Sequence, residues 1–521
     1  MSYKKKVLNF TLFSGLSTYL ESFVGLLLSV FIARSLGAEN FGRYSVLLLI
    51  ASIGVAFANG GLKTAVIKFL AEARGKDQAG VALSVFRYVL KIQMMFIPAT
   101  LIFMVVGVYL YFDFGKDTYS GLVIGLVVLA VIPKSLQMFY VSVAKGMEAF
   151  KAIFLINAVV TPINLLAVLI AALLDGGLTG FVSAYAFVSI VYFAASRYWV
   201  KREMEGLAHK PEPMPEEFRR RLNRFALLST MNHVLLFIVG REIEVLFLNA
   251  FGMTEEAGLY KVGFNLAETA IILVPGIFGA VLLPVMAKSL GQSVDVQAHR
   301  FRESARFMIM LAAPIIVFGI VFADVIIEIL YGPEFRRAAV VLRVLLAFFG
   351  FTMLNQVCAS ILLSHDRQGT VMKVVMITAS VNIVLDFLLI KYFGLGGAVA
   401  AAVLAKLSHA LIYQYLVSGI LRTQLTYRGF VHTYFLALVA ILPVWLVHRL
   451  LPGAPVLLAG IPVFFATYVI LLLLQFKITY PELAIFRDAL EHYPLMRRFF
   501  DSGFFRWIDR RYTQRFGGEM A

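Results

Sequence analysis

Three basic residues lie deep inside long apolar stretches of the sequence, where a charge is costly if the stretch crosses a lipid bilayer. They are Lys134, Arg241 and Lys406. A charge near the bilayer centre costs at least about 2.5–3.5 kcal/mol, so it normally faces a cavity or a partner of opposite charge. Because Lys134 and Lys406 have no acidic residue three or four positions away, we expect both to line a polar cavity.

Five acidic residues occupy similar stretches and are candidates for binding a coupling proton or Na⁺: Glu21, Glu242, Glu244, Glu268 and Asp386. Arg241 and Glu244 are three residues apart and share a helix face. That spacing permits two interpretations. The pair either neutralises itself so that the helix can insert, or it presents a cation to a cavity beside an ion-binding carboxylate. Glu21 and Glu268 are either coupling-ion sites or hydrogen-bonding groups between helices.

Three further cations, Lys63, Lys91 and Arg87, lie close to the ends of apolar stretches. Long basic side chains at such positions can extend to the water interface, and they can equally meet a phosphate that enters from that side. The sequence has no nucleophile–base constellation, glycine-rich phosphate loop or Cys/His metal motif. It therefore gives no positive indication of an enzyme or of a cofactor other than the coupling Na⁺ or H⁺.

The composition places these residues in a membrane. Of 521 residues, 60% are hydrophobic and 15% are charged, with a mean hydropathy of +0.84. A soluble domain is only about half apolar and about a quarter charged. The apolar runs exceed about 18 residues, which predicts membrane-spanning helices and excludes the short alternating strands of a barrel. We therefore predict an all-α integral membrane protein, and we attribute the net charge of +16 to asymmetric loops rather than to nucleic-acid binding.

Fourteen spans are predicted, at 8–33, 43–67, 86–111, 119–144, 152–174, 178–198, 225–249, 257–285, 306–329, 339–364, 371–391, 396–421, 430–448 and 454–476. Loops and tails on the N-terminal side hold 33 of the 47 Lys and Arg residues, against eight in the opposite loops. The positive-inside rule then places both termini in the cytoplasm. Every predicted external loop is short, which excludes an external catalytic domain.

The chain divides into five predicted parts: a six-helix lobe at 1–200, a cytoplasmic linker at 201–224, a second six-helix lobe at 225–421, two further spans within 422–477, and an amphipathic cytoplasmic tail at 478–521. Matching patterns recur in the same order in both lobes. Phe86-Arg87 precedes Pro98 as Phe301-Arg302 precedes Pro314, and Asn164 precedes Gly180 as Asn382 precedes Gly397. We predict two pseudo-symmetric lobes that move around a central site.

Local patterns resemble the Wzx-type flippases, the polysaccharide transporter branch of the multidrug/oligosaccharidyl-lipid/polysaccharide (MOP) exporter superfamily. The segment 29–72, SVFIARSLGAENFGRYSVLLLIASIGVAFANGGLKTAVIKFLAE, resembles the first helical hairpin of that family. The segments VGREIEVLFLNAFG (239–252) and VAKGMEAFKA (143–152) resemble its seventh span and the loop after its fourth. In the seventh span Glu242 or Glu244 takes the place of the acidic residue usual in the family.

The resemblance implies a plasma-membrane flippase of polysaccharide or O-antigen biosynthesis. Its substrate would be a polyprenyl-diphosphate-linked oligosaccharide that moves to the outer leaflet by ion-coupled alternating access. Lys134, Arg241 and Lys406 would then bind the diphosphate. Expected partners are this substrate, membrane lipids and the glycan polymerase machinery.

Two relatives with the same architecture remain as alternatives. A multidrug exporter of the MATE type would carry organic cations and would use acidic cavity residues. A lipid II flippase of the MurJ type would differ in substrate more than in mechanism.

Overall fold

The computed structural model describes residues 3–111, 119–205, 210–240, 242–289, 293–365, 367–425, 427–450, 454–475 and 511. Within these ranges, side chains are described except at 3–22, 232, 234–240, 273–289 and 454–458. The predicted amphipathic tail, Arg511 apart, and Arg241 lie outside the described residues, as does the side chain of Glu21.

The described parts of the chain are helical and contain no strand. The helices are α1 (Tyr3–Asn59), α2 (Leu62–Gly75), α3 (Ala79–Tyr111), α4 (Gly121–Gly146), α5 (Phe150–Leu173), α6 (Gly177–Glu205), α7 (Glu216–Gly240), α8 (Glu244–Ala250), α9 (Thr254–Ser289), α10 (Val294–Val321), α11 (Ala323–Tyr331), α12 (Ala338–Thr352), α13 (Leu354–Ser364), α14 (Gln368–Leu385), α15 (Lys391–Leu421), α16 (Tyr427–Leu450) and α17 (Ala454–Leu474). A 3₁₀-helix covers Pro333–Phe335 and a π-helix covers Asp386–Ile390.

Nine helices among the described residues are long and apolar enough to cross a membrane, judged by length and composition. Their outer faces carry many exposed large apolar side chains, among them Leu110, Leu173 and Leu174. Such a surface is stable only against lipid, so the chain is a multi-pass membrane protein. The count of fourteen spans and the orientation of the termini stay predictions.

Two glycines interrupt helices that continue on either side of them. Gly37 in α1 has φ 72° and Gly394 in α15 has φ 53°, values that side chains with a Cβ rarely adopt. Gly37 separates the first two predicted spans by a kink rather than by a loop. At each kink a glutamate side chain accepts a hydrogen bond from the backbone N–H that follows the glycine. Ala38 N donates to Glu334 Oε1 at 2.9 Å, and Leu395 N donates to Glu256 Oε2 at 2.8 Å.

One predicted continuous span, 225–249, is broken. Helix α7 ends at Gly240 and α8 begins at Glu244. The break coincides with the charged sequence that begins at Arg241. Non-helical backbone at membrane depth is tolerated where it borders protein or a polar cavity. The predicted spans 306–329 and 339–364 are likewise divided, at Phe322 and Met353.

Helices α1 and α9 cross in direct backbone contact at Gly42 and Gly258. A Cβ atom at Gly42 would collide with the carbonyl oxygen of Thr254, and one at Gly258 would collide with that of Ala38. Small residues allow this approach, and close packing holds membrane helices together. The crossing joins the two halves of the chain.

Helices α16 and α17 pack together against α10. The hydroxyl of Tyr468 donates to the carbonyl of Met310 at 2.8 Å, and the buried ring of Phe464 lies 5.9 Å from that of Phe318. These helices therefore extend the second half of the chain.

Candidate functional site

A cavity of about 380 Å³ lies between the two halves of the chain. The first half lines it with side chains from α1, α4, α5 and α6, and the second half contributes Glu242, Lys261 and Asn265. The polar lining from the first half consists of Ser29, Tyr44, Ser45, Ser52, Lys134, Thr161, Asn164, Tyr185, Ser189 and Tyr192. Hydroxyl and amide groups thus dominate one wall.

Lys134 supplies the positive charge of that wall. Its ammonium lies 5.0 Å from the centre of the Tyr192 ring, within the range of a cation–π interaction. The Tyr192 hydroxyl donates a hydrogen bond to Asn157 Oδ1 on the neighbouring helix α5. The ring is therefore fixed from α5, and it holds the Lys134 ammonium at the cavity.

Glu242 and Lys261 form an ion pair on the opposite wall. The side chain of Glu242 is 6% exposed and that of Lys261 is 20% exposed. Glu242 lies in the break between α7 and α8, and Lys261 lies two turns into α9. The charged side chains described around the cavity are therefore two lysines and one glutamate.

The predicted cations do not all meet in this cavity. Lys134 lines it, whereas Lys406 is absent from the described lining. The Lys406 ammonium lies 5.0 Å from the centre of the Phe264 ring and 4.2 Å from the centre of the Phe349 ring, both in the second half. Lys91 and Arg87 are exposed on α3. Lys63 is partly buried on α2 and interacts electrostatically with His233 of α7.

Sequence reasoning missed Lys261. Like Lys134, it has no acidic residue three or four positions away. The predicted span begins at 257, however, which places Lys261 close to the membrane surface rather than at mid-span. Helix α9 instead crosses α1 close to its own start, and this crossing brings Lys261 to the cavity. Depth along one helix does not reveal where another helix crosses it.

A separate polar cluster lies inside the second half of the chain. Glu244 and Asp386 are 3% and 0% exposed. Asn382 Nδ2 donates to Asp386 Oδ2 at 2.5 Å, and both Tyr260 and Asn382 face Glu244. Among the residues that the structure describes, Glu244 Oε2, Asp386 Oδ1 and the Tyr260 hydroxyl are buried without a hydrogen-bond partner of normal geometry. Unsatisfied buried oxygens of this kind call for a proton or a cation.

The backbone around Asp386 is unusual as well. Asp386 begins the π-helix, and single π-helical turns often occur at functional sites. Lys406 interacts electrostatically with Glu244 and with Glu268, which is only partly buried. The structure thus brings Glu244 and Asp386 together in this cluster, and Lys406 connects Glu268 to it, whereas Glu242 lines the cavity.

No group of three or more His, Cys, Asp or Glu side chains suited to a metal ion occurs in the described part of the chain. The cluster has two carboxylates, an amide and a phenol. Hard oxygen donors with this little charge suit a proton or a monovalent cation better than a divalent one.

Contacts join the two halves on both sides of the cavity region. At the predicted external end, Arg34 Nε donates to the carbonyl of Leu330 at 2.7 Å, and Glu334 caps Ala38. At the other end, Gly61 N donates to Thr230 Oγ1 at 2.7 Å. A Cβ at Gly61 would collide with the backbone of α7.

Comparisons of the sequence identify the family. The polysaccharide biosynthesis protein family matches residues 31–340. An uncharacterized membrane protein of Methanocaldococcus jannaschii is 23% identical over 496 residues, covering 90% of this chain and 96% of that protein. A candidate O-antigen transporter of Shigella flexneri is 21% identical over 398 residues, covering 74% and 91%.

Comparisons of the structure identify the fold. The lipid II flippase MurJ in an inward closed conformation matches with a TM-score of 0.68 at 14% identity, covering 89% of this chain and 99% of that one. An inward-facing MATE multidrug resistance transporter of the MOP superfamily matches with a TM-score of 0.61 at 15% identity, covering 77% and 95%. With this fold and with the family match over more than half its length, the chain belongs to the polysaccharide biosynthesis protein family of multi-pass membrane proteins.

Proposed function

We propose that the protein is a flippase that moves a polyprenyl-diphosphate-linked oligosaccharide from the cytoplasmic to the outer leaflet of the plasma membrane. The two lobes alternate in exposing the cavity to either side, with both termini in the cytoplasm. The proposal extends the family membership and the resemblance to Wzx-type flippases to a specific substrate. Glycan polymerase machinery would receive the flipped product.

The observation that carries the proposal is the composition of the cavity. One wall offers hydroxyls, amides and tyrosine rings, which are the groups that bind sugar hydroxyls. Lys134 and Lys261 face the cavity from opposite lobes, and cations in a site with little water interact strongly with phosphate. Lys134 and Lys261 therefore form the proposed diphosphate site, whereas Lys406 belongs to the cluster of the second half.

Coupling to an ion gradient is assigned to Glu244, Asp386, Asn382 and Tyr260. A proton or Na⁺ at this cluster would satisfy the unpaired oxygens, and its loss would leave them buried and uncompensated, a state that costs several kcal/mol. Glu244 of the cluster begins α8 and follows Glu242 of the cavity wall by two residues. A rearrangement at the cluster would therefore reach the cavity through this short stretch of backbone.

The test uses purified protein in liposomes that contain a fluorescent polyprenyl-diphosphate-linked oligosaccharide. A membrane-impermeant quencher reports the lipid's exposure while a Na⁺ or proton gradient is imposed. Protein-dependent movement that responds to one gradient and falls at least about tenfold in Lys134→Met supports the proposal. Lys145→Met is the matched control, since Lys145 is exposed at the end of the same helix.

The same liposomes test the alternatives. No movement of the lipid, together with gradient-driven accumulation of an organic cation, would reject the flippase and favour a multidrug exporter. Movement of lipid II in preference to other lipid-linked sugars would retain the flippase and change its substrate.

A further inference from the structure

One of the two lysines described at the cavity is already paired with a carboxylate. A diphosphate esterified at both ends has one ionised oxygen on each phosphorus and carries two negative charges. Glu242 occupies Lys261, the lysine of the second half. The diphosphate therefore takes the place of this carboxylate at the ammonium only if Glu242 moves away.

Glu242 is placed so that it can leave. Glu242 lies two residues before the start of α8 and is not itself helical, although its carbonyl accepts a hydrogen bond from Val245 N at 3.1 Å. Lys261, by contrast, lies within α9, whose neighbouring residues Tyr260 and Val262 are fully buried. We therefore take the carboxylate as the partner that moves and the ammonium as the one that stays in place.

We propose that Glu242 is a built-in competitor of the substrate: its carboxylate occupies Lys261 when the cavity is empty, and the lipid-linked diphosphate displaces it. This inference rests on the proposed function and adds an exchange of anions to it. The bound diphosphate then joins Lys261 of one lobe to Lys134 of the other. When the cavity opens to the outside, Glu242 recaptures Lys261 and expels the product.

The exchange of the diphosphate for the Glu242 carboxylate at Lys261 would speed the release of the bound substrate. A site that holds a doubly charged headgroup with two partly buried lysines would release it slowly. An internal carboxylate that returns to Lys261 places an opposite charge beside this ammonium again after release. Glu242 thus lowers the affinity and raises the rate of release.

The test measures binding of a polyprenyl-diphosphate-linked monosaccharide to the full-length protein in lipid nanodiscs. We expect Glu242→Gln to bind this probe at least about tenfold more tightly than the wild type, a change of ~1.4 kcal/mol, and to flip it more slowly. Lys261→Gln should bind it at least about tenfold more weakly. A polyprenyl-monophosphate-linked monosaccharide, with a single charge, should gain much less affinity from Glu242→Gln.

Two further variants keep the result interpretable. Glu255→Gln removes a carboxylate from the first turn of α9 outside the cavity, where its partner Arg337 is exposed, and it should bind like the wild type. Glu242→Asp keeps the charge and should stay within about threefold of the wild type, which separates loss of competition from loss of folding.

The outcomes distinguish this inference from the function it rests on. If the wild type binds the diphosphate probe but Glu242→Gln binds it equally or more weakly, the competitor role is wrong and the flippase stands. If the wild type does not bind the probe at all, both are overturned. Tighter binding in Glu242→Gln with faster flipping would also reject the competitor, because it would mean that release does not depend on the carboxylate.

Discussion

In the first half of the chain the fully buried polar side chains are neutral, whereas in the second half they include three carboxylates. Among the described residues, the buried set of the first half comprises Ser45, Asn59, Gln93, Thr100, Ser135, Gln137, Ser142, Ser189 and Ser196. The second half buries Glu242, Glu244 and Asp386. Neutral hydroxyls and amides suit the recognition of a sugar, and buried carboxylates suit the binding of an ion. The difference agrees with the proposed placement of the sugar-binding wall in the first half and of the coupling cluster, Glu244 and Asp386, in the second half.

The two kinked helices differ in a parallel way. Gly394 of α15 is capped by Glu256 within the same half, but Gly37 of α1 is capped by Glu334 of the other half. Arg34 of α1 in turn binds the last carbonyls of α11, Leu330 and Ile329. Glu334 places a negative charge at the start of the helical segment after Gly37, and Arg34 places a positive charge at the end of α11. Both charges come from the opposite half, and each has the sign that the helix dipole favours. The same local device stabilises one lobe internally and fastens the two lobes to each other.

The largest expected effect comes from a variant that alters only the proposed coupling cluster of the second half. Asp386→Asn removes one of the two carboxylates of the cluster, so we expect gradient-dependent transport to fall at least about tenfold. Binding of the lipid-linked diphosphate, which occurs at the other wall, should change less than about twofold. Transport with and without the gradient, together with probe binding, measures both.

Asp175→Asn is the control for that variant. Asp175 is exposed in the turn before α6 with φ 48°, a conformation that Asn tolerates. Loss of probe binding in Asp386→Asn would contradict the division of labour between the halves.

The next largest effect distinguishes the roles of the two glutamates that cap the kinks, Glu334 and Glu256. Loss of a helix cap costs about 1 kcal/mol, or about fivefold in an equilibrium between closed and open lobes. Glu334→Ala should therefore increase labelling of a cavity cysteine, Ser45→Cys, by an impermeant maleimide from the predicted outside. Glu256→Ala should lower stability by a similar amount without increased labelling. The buried Cys358 is replaced by Ala in all of these proteins.

Equal labelling of the two glutamate variants would mean that the contact between Glu334 and Ala38 does not hold the lobes closed.

A smaller effect tests how the sugar-binding wall is built. Tyr192→Leu removes the ring that holds the Lys134 ammonium, a contact worth about 0.5–1 kcal/mol, so affinity for the diphosphate probe should fall about two- to fivefold. Tyr192→Phe keeps the ring face and loses only the hydroxyl that binds Asn157, so its affinity should fall less. A titration of the probe on both variants provides the measurement. If Phe were as harmful as Leu, the hydroxyl rather than the ring face would carry the effect.

The smallest effect concerns the contact between Glu72 of α2 and Arg221 of α7, which lies at the predicted cytoplasmic side. Hydrogen bonds and charge from Lys76 and Arg221 hold the pKa of Glu72 below its usual value, against the opposing effect of partial burial. A carboxyl with a lowered folded pKa stabilises the protein above its unfolded pKa, and this stability is lost as the pH falls through the folded pKa. Because the pairs are largely exposed, Glu72→Gln should cost less than about 1 kcal/mol at pH 7.

Thermal unfolding of wild type and Glu72→Gln checks this, because their difference should vanish at acidic pH. A difference that persisted below the range of carboxyl titration would show that the contact does not depend on charge.

The membrane class, the helical fold and the family resemblance followed from the sequence, because they depend on composition, run length and local pattern. The place of Lys134 at the cavity also followed, since a mid-span charge with no acidic residue three or four positions away is expected to face a cavity. The position of Lys406 did not, because its two aromatic neighbours come from α9 and α12 and no pattern along α15 indicates them. The pairing of Glu242 with Lys261 was equally hidden, since it depends on a helix break and on a crossing between helices. The span count, the repeat of the two lobes and the roles of the charged residues remain predictions.

The backbone contact between Gly42 and Gly258 has a mechanical consequence. It lies just after the Gly37 kink of α1, whereas Asn59 lies 17 residues further on at the end of the helix, about 25 Å along the helix axis at 1.5 Å per residue. Such a backbone contact resists sliding of α1 along α9 but permits the two helices to rotate about it, so it acts as a pivot. A tilt of about 10° around it would displace the far end by about 4 Å while the near end stays closed.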